Sequence, residues 1–437
     1  MPRQKSAIAV GLALVALACT PDASRAQDTT QTGVRIGLFY SPGAKPGVVV
    51  LPVAGPGGDS IRVMIERDLD HGDRVNVVKL DATQPDQVTL RGAMNYPLFT
   101  TLGAAAVVQA TLTANGVRVA LHDVAKKSVA QTRDFPLGGP TLGREWRMDV
   151  HRVADEAELW ISGTRGIAAT RVAFVSAGQV FVIDSDGANT QQVTTGPRSL
   201  SPSWHPTGRY IAFTSMGDLG TRVMVRDLAT GATQPLAGAT SGLNITPAWA
   251  PDGSALVYAH GEESGTDLVV APAFEEGGAR QITVGRGTEN TSPSFSPDGR
   301  QVAFMSGRSG HPEVYVADID GTNAELLTPY VYGERSYRAS PDWSPDNRAV
   351  AFQSEIGGNF QIMTIGLRDR AMKQHTSEGV NEDPSWAPDG RHLVFTSTRT
   401  GTRQLFVLDT ESGRVRQLTR GAAARLAAWS RPMARAQ

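Results

Sequence analysis

Short runs of alternating apolar and polar residues dominate the chain beyond residue 170. Tyr210-Ile211-Ala212-Phe213-Thr214-Ser215, Gln301-Val302-Ala303-Phe304-Met305-Ser306 and Glu313-Val314-Tyr315-Val316-Ala317-Asp318 are of this kind. Period-two runs bounded by Gly-containing turns predict strands. The pattern before residue 165 is mixed. Gly47 to Val53 is an apolar, β-branched run that predicts a buried strand, and Arg74 to Leu80 alternates as another. Ile61, Met64, Ile65 and Leu69 share one helical face within 60–69, with Asp59 as the expected N-cap. Residues 104–113, 117–123 and 128–135 predict three consecutive strands, the first two joined by an Asn115-Gly116 hairpin turn. Trp146, Val150, Val153 and Ala157 predict a helix over 144–162, and Gly163 to Ala169 reads as a joint. Residues 47–165 are therefore expected to form an α/β domain.

One phrase recurs in the second part: a small residue, an aromatic, Ser or Ala, Pro, Asp, Gly. Its copies centre on Trp204, Trp249, Phe295, Trp343, Trp386 and Trp429, spaced by 45, 46, 48, 43 and 43 residues, and the last is broken at Arg431-Pro432. In each Pro-Asp-Gly turn Pro presets φ and Gly takes positive φ. Counting the aromatic phrase as a strand gives four strands per copy. A period in the forties with four strands predicts a six-bladed β-propeller over 166–431, followed by a short tail, 432–437. The first blade lacks an aromatic strand before Arg171, and the aromatic strand near Trp429 has nothing behind it. The expected closure places the C-terminal strand in the N-terminal blade, which hides two sheet edges.

Composition narrows the class. With 42 Lys and Arg against 43 Asp and Glu the net charge is −1, which gives no general attraction to nucleic acid. Arg3 and Lys5, the apolar stretch Ala7 to Ala18, and Ala23-Ser24-Arg25-Ala26 form a signal-peptide pattern over 1–26 with cleavage after Ala26. The alternative makes Cys19, the sole cysteine, the lipidated first residue of a lipoprotein. Residues 27–46 are expected to be a flexible N-terminal segment.

The usual marks of catalysis are missing: no Gly-x-Ser-x-Gly elbow, no His-Glu-x-x-His and no P-loop occur. The expectation is a non-enzymatic protein with neither metal nor cofactor. Asp184-x-Asp186-Gly187-x-Asn189 and Asp318-x-Asp320-Gly321-x-Asn323 imitate calcium loops, but the twelfth positions are Thr195 and Pro329, and both read as Asp-Gly hairpin turns. The residues before each aromatic strand are polar and vary between repeats: Asn244; Glu289, Asn290 and Thr291; Arg335 and Arg338; Asn381, Glu382 and Asp383. If the aromatic strands line the channel, these residues ring one mouth and are the candidate partner-binding set. The competing reading is a merely solvated rim.

A signal peptide, a small α/β domain and six Trp-Ser-Pro-Asp-Gly repeats together resemble the TolB family over Val34 to Arg431. Val34-Arg35-Ile36-Gly37 resembles the family's N-terminal segment, and Thr170-Arg171-Val172-Ala173-Phe174-Val175 its domain junction. The resemblance implies a periplasmic protein of the Tol–Pal system, acting in outer-membrane integrity and constriction at division. The implied partners are the peptidoglycan-associated lipoprotein Pal at the propeller mouth, TolA through Val34 to Gly37, and further outer-membrane proteins. Thr291 matches a Pal-contacting loop, whereas Leu243 stands where the family pattern has His, and 329–340 is longer and richer in Tyr and Arg. Two alternatives stay open: a TolB-like propeller outside the Tol system, binding another envelope protein or ligand, and the propeller of a serine-peptidase-like hydrolase.

Overall fold

The computed structural model describes residues 45–435 apart from 81–86, 91–92, 219, 238–241, 263–264, 276, 286–287, 330–332, 334–335 and 434. The expectations on the signal peptide, Cys19, Val34, Arg35, Ile36, Gly37 and Arg335 lie outside the described residues.

The α/β region holds a five-stranded sheet in the order Asn76–Val77, Gly47–Val50, Ala104–Thr113, Gly116–Asp123, Ser128–Pro136. The first two pairings are parallel and the last two antiparallel. Helices α1 (Gly58–Gly72) and α3 (Arg144–Ser162) bury Ile61, Ile65, Leu69, Val150, Val153 and Ala157 against Val48, Val50, Ala106 and Val108. The helical spacing seen in the sequence is the face that meets the sheet. Asp59 is not the N-cap of α1: Gly57 holds that place at φ 79°, and Asp59 sits in the first turn, where its charge still faces the helix N-terminus. The strand expected over Arg74–Leu80 is confined to Asn76–Val77, since only these two residues pair with Gly47 and Val48. Between these elements lies a short helix, α2 (Tyr96–Thr101), capped by Asn95 Oδ1 accepting from the Leu98 amide at 3.4 Å. It sets Phe99 against Val49, Val107 and Val124 on the other sheet face.

The ring follows. Six four-stranded antiparallel sheets succeed one another, and each runs from an inner strand on the channel to a short outer one. In blade 2 these are Arg198–Trp204, Tyr210–Gly217, Gly220–Asp227 and Thr233–Pro235. The inner strands of blades 3 to 6 are Leu243–Trp249, Asn290–Phe295, Arg338–Trp343 and Asn381–Trp386. Blade 1 takes its inner strand, Arg425–Trp429, from the end of the chain and pairs it antiparallel with Arg171–Ser176, as the repeat count predicted. Ser430 extends the seam: its amide donates to the Arg171 carbonyl at 2.8 Å and its hydroxyl accepts from the Arg171 amide at 2.9 Å.

The recurring aromatics fill the wedges between blades. Trp204, Trp249, Trp343, Trp386 and Trp429 are buried, and every apolar cluster of the ring joins residues from neighbouring blades. The small residue before the aromatic ties the inner strands together. Ser203 Oγ accepts from the Trp249 amide at 3.3 Å, Ser294 Oγ from Trp343 at 3.0 Å, Asp342 Oδ2 from Trp386 at 2.7 Å and Ser385 Oγ from Trp429 at 3.1 Å.

Trp429 closes this circuit and also donates its indole N–H to Thr170 Oγ1 at 2.8 Å. Trp429→Ala is expected to cost about 3–5 kcal/mol, read as a fall in the denaturant midpoint. A substitution at exposed Met372 on an outer strand is expected to leave the midpoint within roughly 0.5 kcal/mol of the parent.

Candidate functional site: the open mouth of the ring

Antiparallel strands put the loops of every blade on two faces. The first-to-second and third-to-fourth strand turns share one face, which the α/β region occupies over blades 6 and 1. Arg74 reaches Asp389 in the Pro-Asp-Gly turn of blade 6 at 2.9 Å, and Arg147 reaches Asp186 in the Asp-Gly turn of blade 1 at 2.5 Å. The second-to-third turns and the connections between blades share the opposite face. Among the described residues none of the α/β region hydrogen-bonds or ion-pairs to that face, and its mouth is open to the described part of the molecule.

The predicted partner-binding residues lie at this mouth but divide into two kinds. Asn244, Asn290, Arg338 and Asn381 occupy equivalent places at the start of their inner strands, and all are buried. Each fastens its blade to the preceding one. Asn290 Nδ2 donates to Asp267 Oδ1 at 3.0 Å and to the Thr266 carbonyl at 3.1 Å; Asn381 Nδ2 donates to Gln361 Oε1 at 2.9 Å. The same acceptors take a Thr hydroxyl from the end of the outer strand, Thr283 at 2.8 Å and Thr376 at 2.8 Å. That Thr in turn accepts from the Leu268 amide at 2.8 Å or the Ile362 amide at 2.9 Å. The other end of each Asn amide takes an Arg of its own blade: Arg308 Nη2 to Asn290 Oδ1 and Arg399 Nη2 to Asn381 Oδ1, both at 3.2 Å. Those guanidiniums stack on Phe304 and Tyr315, and on Phe395 and Phe406.

Arg338 is the charged version of this clasp. Its Nη1 donates to Glu313 Oε2 at 2.9 Å, and Thr328 Oγ1 donates to the same oxygen at 2.5 Å. Glu313 is fully buried, with Ser336 and His311 at its other oxygen. Asn244 Oδ1 accepts from His260 Nδ1 at 3.0 Å, and the Asn244 backbone amide donates to Thr221 Oγ1 at 2.7 Å. These four residues therefore hold the mouth's shape and leave little side chain for a partner. The sequence carried a signal for this: Thr194, Thr283, Thr328, Thr376 and Thr419 recur after the outer strands, each paired with an acceptor, Gln179, Asp267, Glu313, Gln361 or Gln404.

Glu289, Thr291, Glu382 and Asp383 are placed differently. Glu289 is exposed, and Thr291 and Glu382 are half-buried on the rim, Glu382 at 3.2 Å from Arg403. Asp383 turns into the channel. It sits at a bulge found in all six inner strands, where Ser201, Thr246, Ser292, Ser340, Asp383 and Leu426 take φ between 47° and 54°. The next residue is Pro in five of them, and Pro has no ladder N–H to lose there. The channel holds about 690 Å³ and is lined by these bulges, the aromatic strands, Arg165 and Arg431. Burial pushes Asp342 and Asp383 up to about 6 in pKa.

A family model described as the TolB beta propeller domain matches residues 160–338 and 330–433. The Tol-Pal system proteins TolB of Bordetella pertussis and Bordetella bronchiseptica are each 33% identical over 213 residues, 48% of this chain and 47% of theirs. The chain thus aligns with about half the length of these curated relatives. The crystal structure of TolB from Acinetobacter baumannii shares the fold, with a TM-score of 0.75 at 22% identity, covering 90% of this chain and 98% of that one. The protein is a six-bladed β-propeller with an α/β region before it. The chain belongs to the TolB family.

Two expectations follow. Asn381→Ala should cost about 1–3 kcal/mol by removing the buried hydrogen bonds it shares with Gln361 and Arg399, measured by denaturant unfolding. Asp342→Ser, which restores the hydroxyl used in other blades, should abolish one pH dependence. A carboxyl whose folded pKa is raised holds its proton in the native state, so its stabilisation is present in acid and lost as pH rises through about 6. The variant should gain roughly 1–2 kcal/mol on the parent between pH 4.5 and 7.5, the partial exposure of Asp342 to the channel discounting the full shift. Melting curves at the two pH values check it.

Proposed function

We propose that the chain is a non-enzymatic, periplasmic, protein-binding component of a Tol–Pal-type system, exported by cleavage after Ala26. It docks the lipoprotein Pal at the open mouth and engages TolA through Val34 to Gly37, supporting outer-membrane integrity and constriction during division. Membership of the TolB family supports the system. The observation that carries the site is the character of the open rim: Met216, Leu243, Val284, Tyr337 and Ile356 are large apolar side chains exposed there, Val284 to 81%. Apolar groups gathered around a polar mouth on a rigid scaffold are the kind of surface a protein partner covers. Among the described residues no helix is long and apolar enough to cross a membrane, in keeping with a protein tied to the membrane through its partners.

Leu243 favours one variation. It is 39% exposed on this rim at a position where the family pattern has His, which suits a TolB-like paralogue with a different envelope partner.

A pull-down from envelope extract with the mature chain, beside a Thr291→Arg/Glu382→Arg variant, tests the proposal. The expected result is recovery of a peptidoglycan-associated lipoprotein by the parent and a loss of about tenfold with the variant, a change of roughly 1.4 kcal/mol. Equal recovery by both would move the site off this rim. Recovery of another envelope protein in its place would favour the paralogue.

A further inference from the structure

The α/β region and the ring meet across a seam that is ionic rather than apolar. The apolar clusters among the described residues lie either within residues 48–161 or within the joint and the ring, and none spans the two. Charged groups make the contact instead. At one end His151 of α3 is fully buried between two carboxylates: its Nδ1 lies 2.6 Å from Asp68 of α1, and its Nε2 is 3.6 Å from Asp186 of blade 1. That Nε2 makes no hydrogen bond, because the same Asp186 oxygen is taken by Arg67 at 2.6 Å and Arg147 at 2.5 Å. His151, Asp184 and Asp186 are close enough together to share a cation. The two guanidiniums on Asp186, with Arg171 on Asp184 at 3.0 Å, oppose one, so the arrangement suits a proton.

The other end repeats the design. Arg74 bridges Glu158 of α3 at 3.4 Å and Asp389 of blade 6 at 2.9 Å, Asp389 also holds His392 at 2.8 Å, and Arg414 reaches Asp70 at 2.6 Å. Between the two ends Asp155 of α3 takes the joint itself, accepting from the Ala168 amide at 2.7 Å and the Ala169 amide at 2.9 Å. Buried ion pairs repay their desolvation only narrowly, and a polar interface between regions allows relative motion.

We propose that this seam is a proton-loaded ionic hinge: the α/β region is held to blades 6 and 1 in mildly acid, low-salt conditions and loosens as pH rises beyond neutrality or salt is added. The groups facing His151 are Asp68 and Arg67 from α1, Arg147 and Asp155 from α3, Asp184 and Asp186 from blade 1, and Arg416 from the outer strand of blade 6. Burial lowers the imidazole pKa, but Asp68 and Asp186 together raise it above the ordinary value. Asp68 belongs to the α/β region itself, so docking adds the Asp186 carboxylate, whose charge raises the imidazole further; that contribution is present while the imidazole is protonated and lost as pH climbs through its docked pKa. Burial pushes Asp155 up to about 7 and Glu158 up to about 8, the latter against Arg74 and with Asp155 and Asp389 adding to the rise. These two carboxyls have the same sign as His151, since the docked state holds the proton that alkali removes. Asp186 and Asp389 run the other way, lowered by His151 and the arginines and by His392 and Arg74, and they weaken the seam only well into acid.

Hydrogen exchange on the mature chain reads the hinge directly, because the Ala168 and Ala169 amides are bound by Asp155 and the Met433 amide by the Ala169 carbonyl. After correction for intrinsic rates, protection of these amides should fall about tenfold between pH 6 and 8.5, and about threefold between 0.05 and 0.5 M NaCl at pH 6. Blade 4 amides at Val302 to Phe304 should change by less than about twofold. His151→Gln, which keeps a polar group without the charge, should start at lower protection and lose most of the pH response. Joint amides that ignore both pH and salt would overturn the proposal, as would blade 4 opening in step with them. Should His151→Gln fail to fold, the parent's pH and salt series decides alone.

Discussion

The pairing of Arg425–Trp429 with Arg171–Ser176 is the constraint on which the rest of the structure depends. Each blade offers one face to its neighbour before and one to its neighbour after, so a ring is stable only when the last face meets the first. Without this pairing, Arg171–Ser176 would expose an unpaired edge, and the Trp429 side chain would lose Thr170 and the cluster it shares with Ile167, Phe174 and Val394. The closing strand also leads into Met433, whose carbonyl accepts from Arg152 of α3 at 3.0 Å and whose amide donates to Ala169 at 2.8 Å. Ring closure and attachment of the α/β region thus share one stretch of chain.

Much of this was legible in the sequence because repeats average out local ambiguity. Six copies of one aromatic phrase fix the blade number, the strand order and the unusual closure together. The helix at Arg144–Ser162 was equally plain, since its apolar residues keep one face for five turns. The misses share a cause. Asp59 is a common capping type, yet Gly57 supplies the left-handed turn that starts α1, and residue preference alone does not separate candidates two positions apart. Asn244, Asn290 and Asn381 recur five residues before the aromatic among neighbours that vary, and it is their distant Gln, Asp or Thr partners that show them to be clasps. Arg338 disguises itself further by replacing Asn, with Glu313 changed to match. The ionic seam was invisible for the same reason: Arg74 and Asp389 are 315 residues apart.

The two faces of the ring divide the work. One is committed to the α/β region through charges, so what happens there responds to protons and salt. The other keeps its shape through buried clasps and offers apolar side chains around the mouth. The clasps matter to binding indirectly, since a rim built on satisfied buried amides and stacked guanidiniums is rigid before any partner arrives, which lowers the ordering cost of association. The strained bulges at the six inner strands fit this picture: they bend each strand where it lines the channel.

Site-specific photo-cross-linking is the most direct test of the claim that partner binding belongs to the open mouth. A cross-linking residue would replace Val284 or Tyr337 on that rim, and Phe274, exposed on the opposite face, as the counterpart. The account predicts adducts with a peptidoglycan-associated lipoprotein from the first two positions and none from Phe274. Adducts from Phe274 alone would contradict it and assign binding to the face that carries the α/β region.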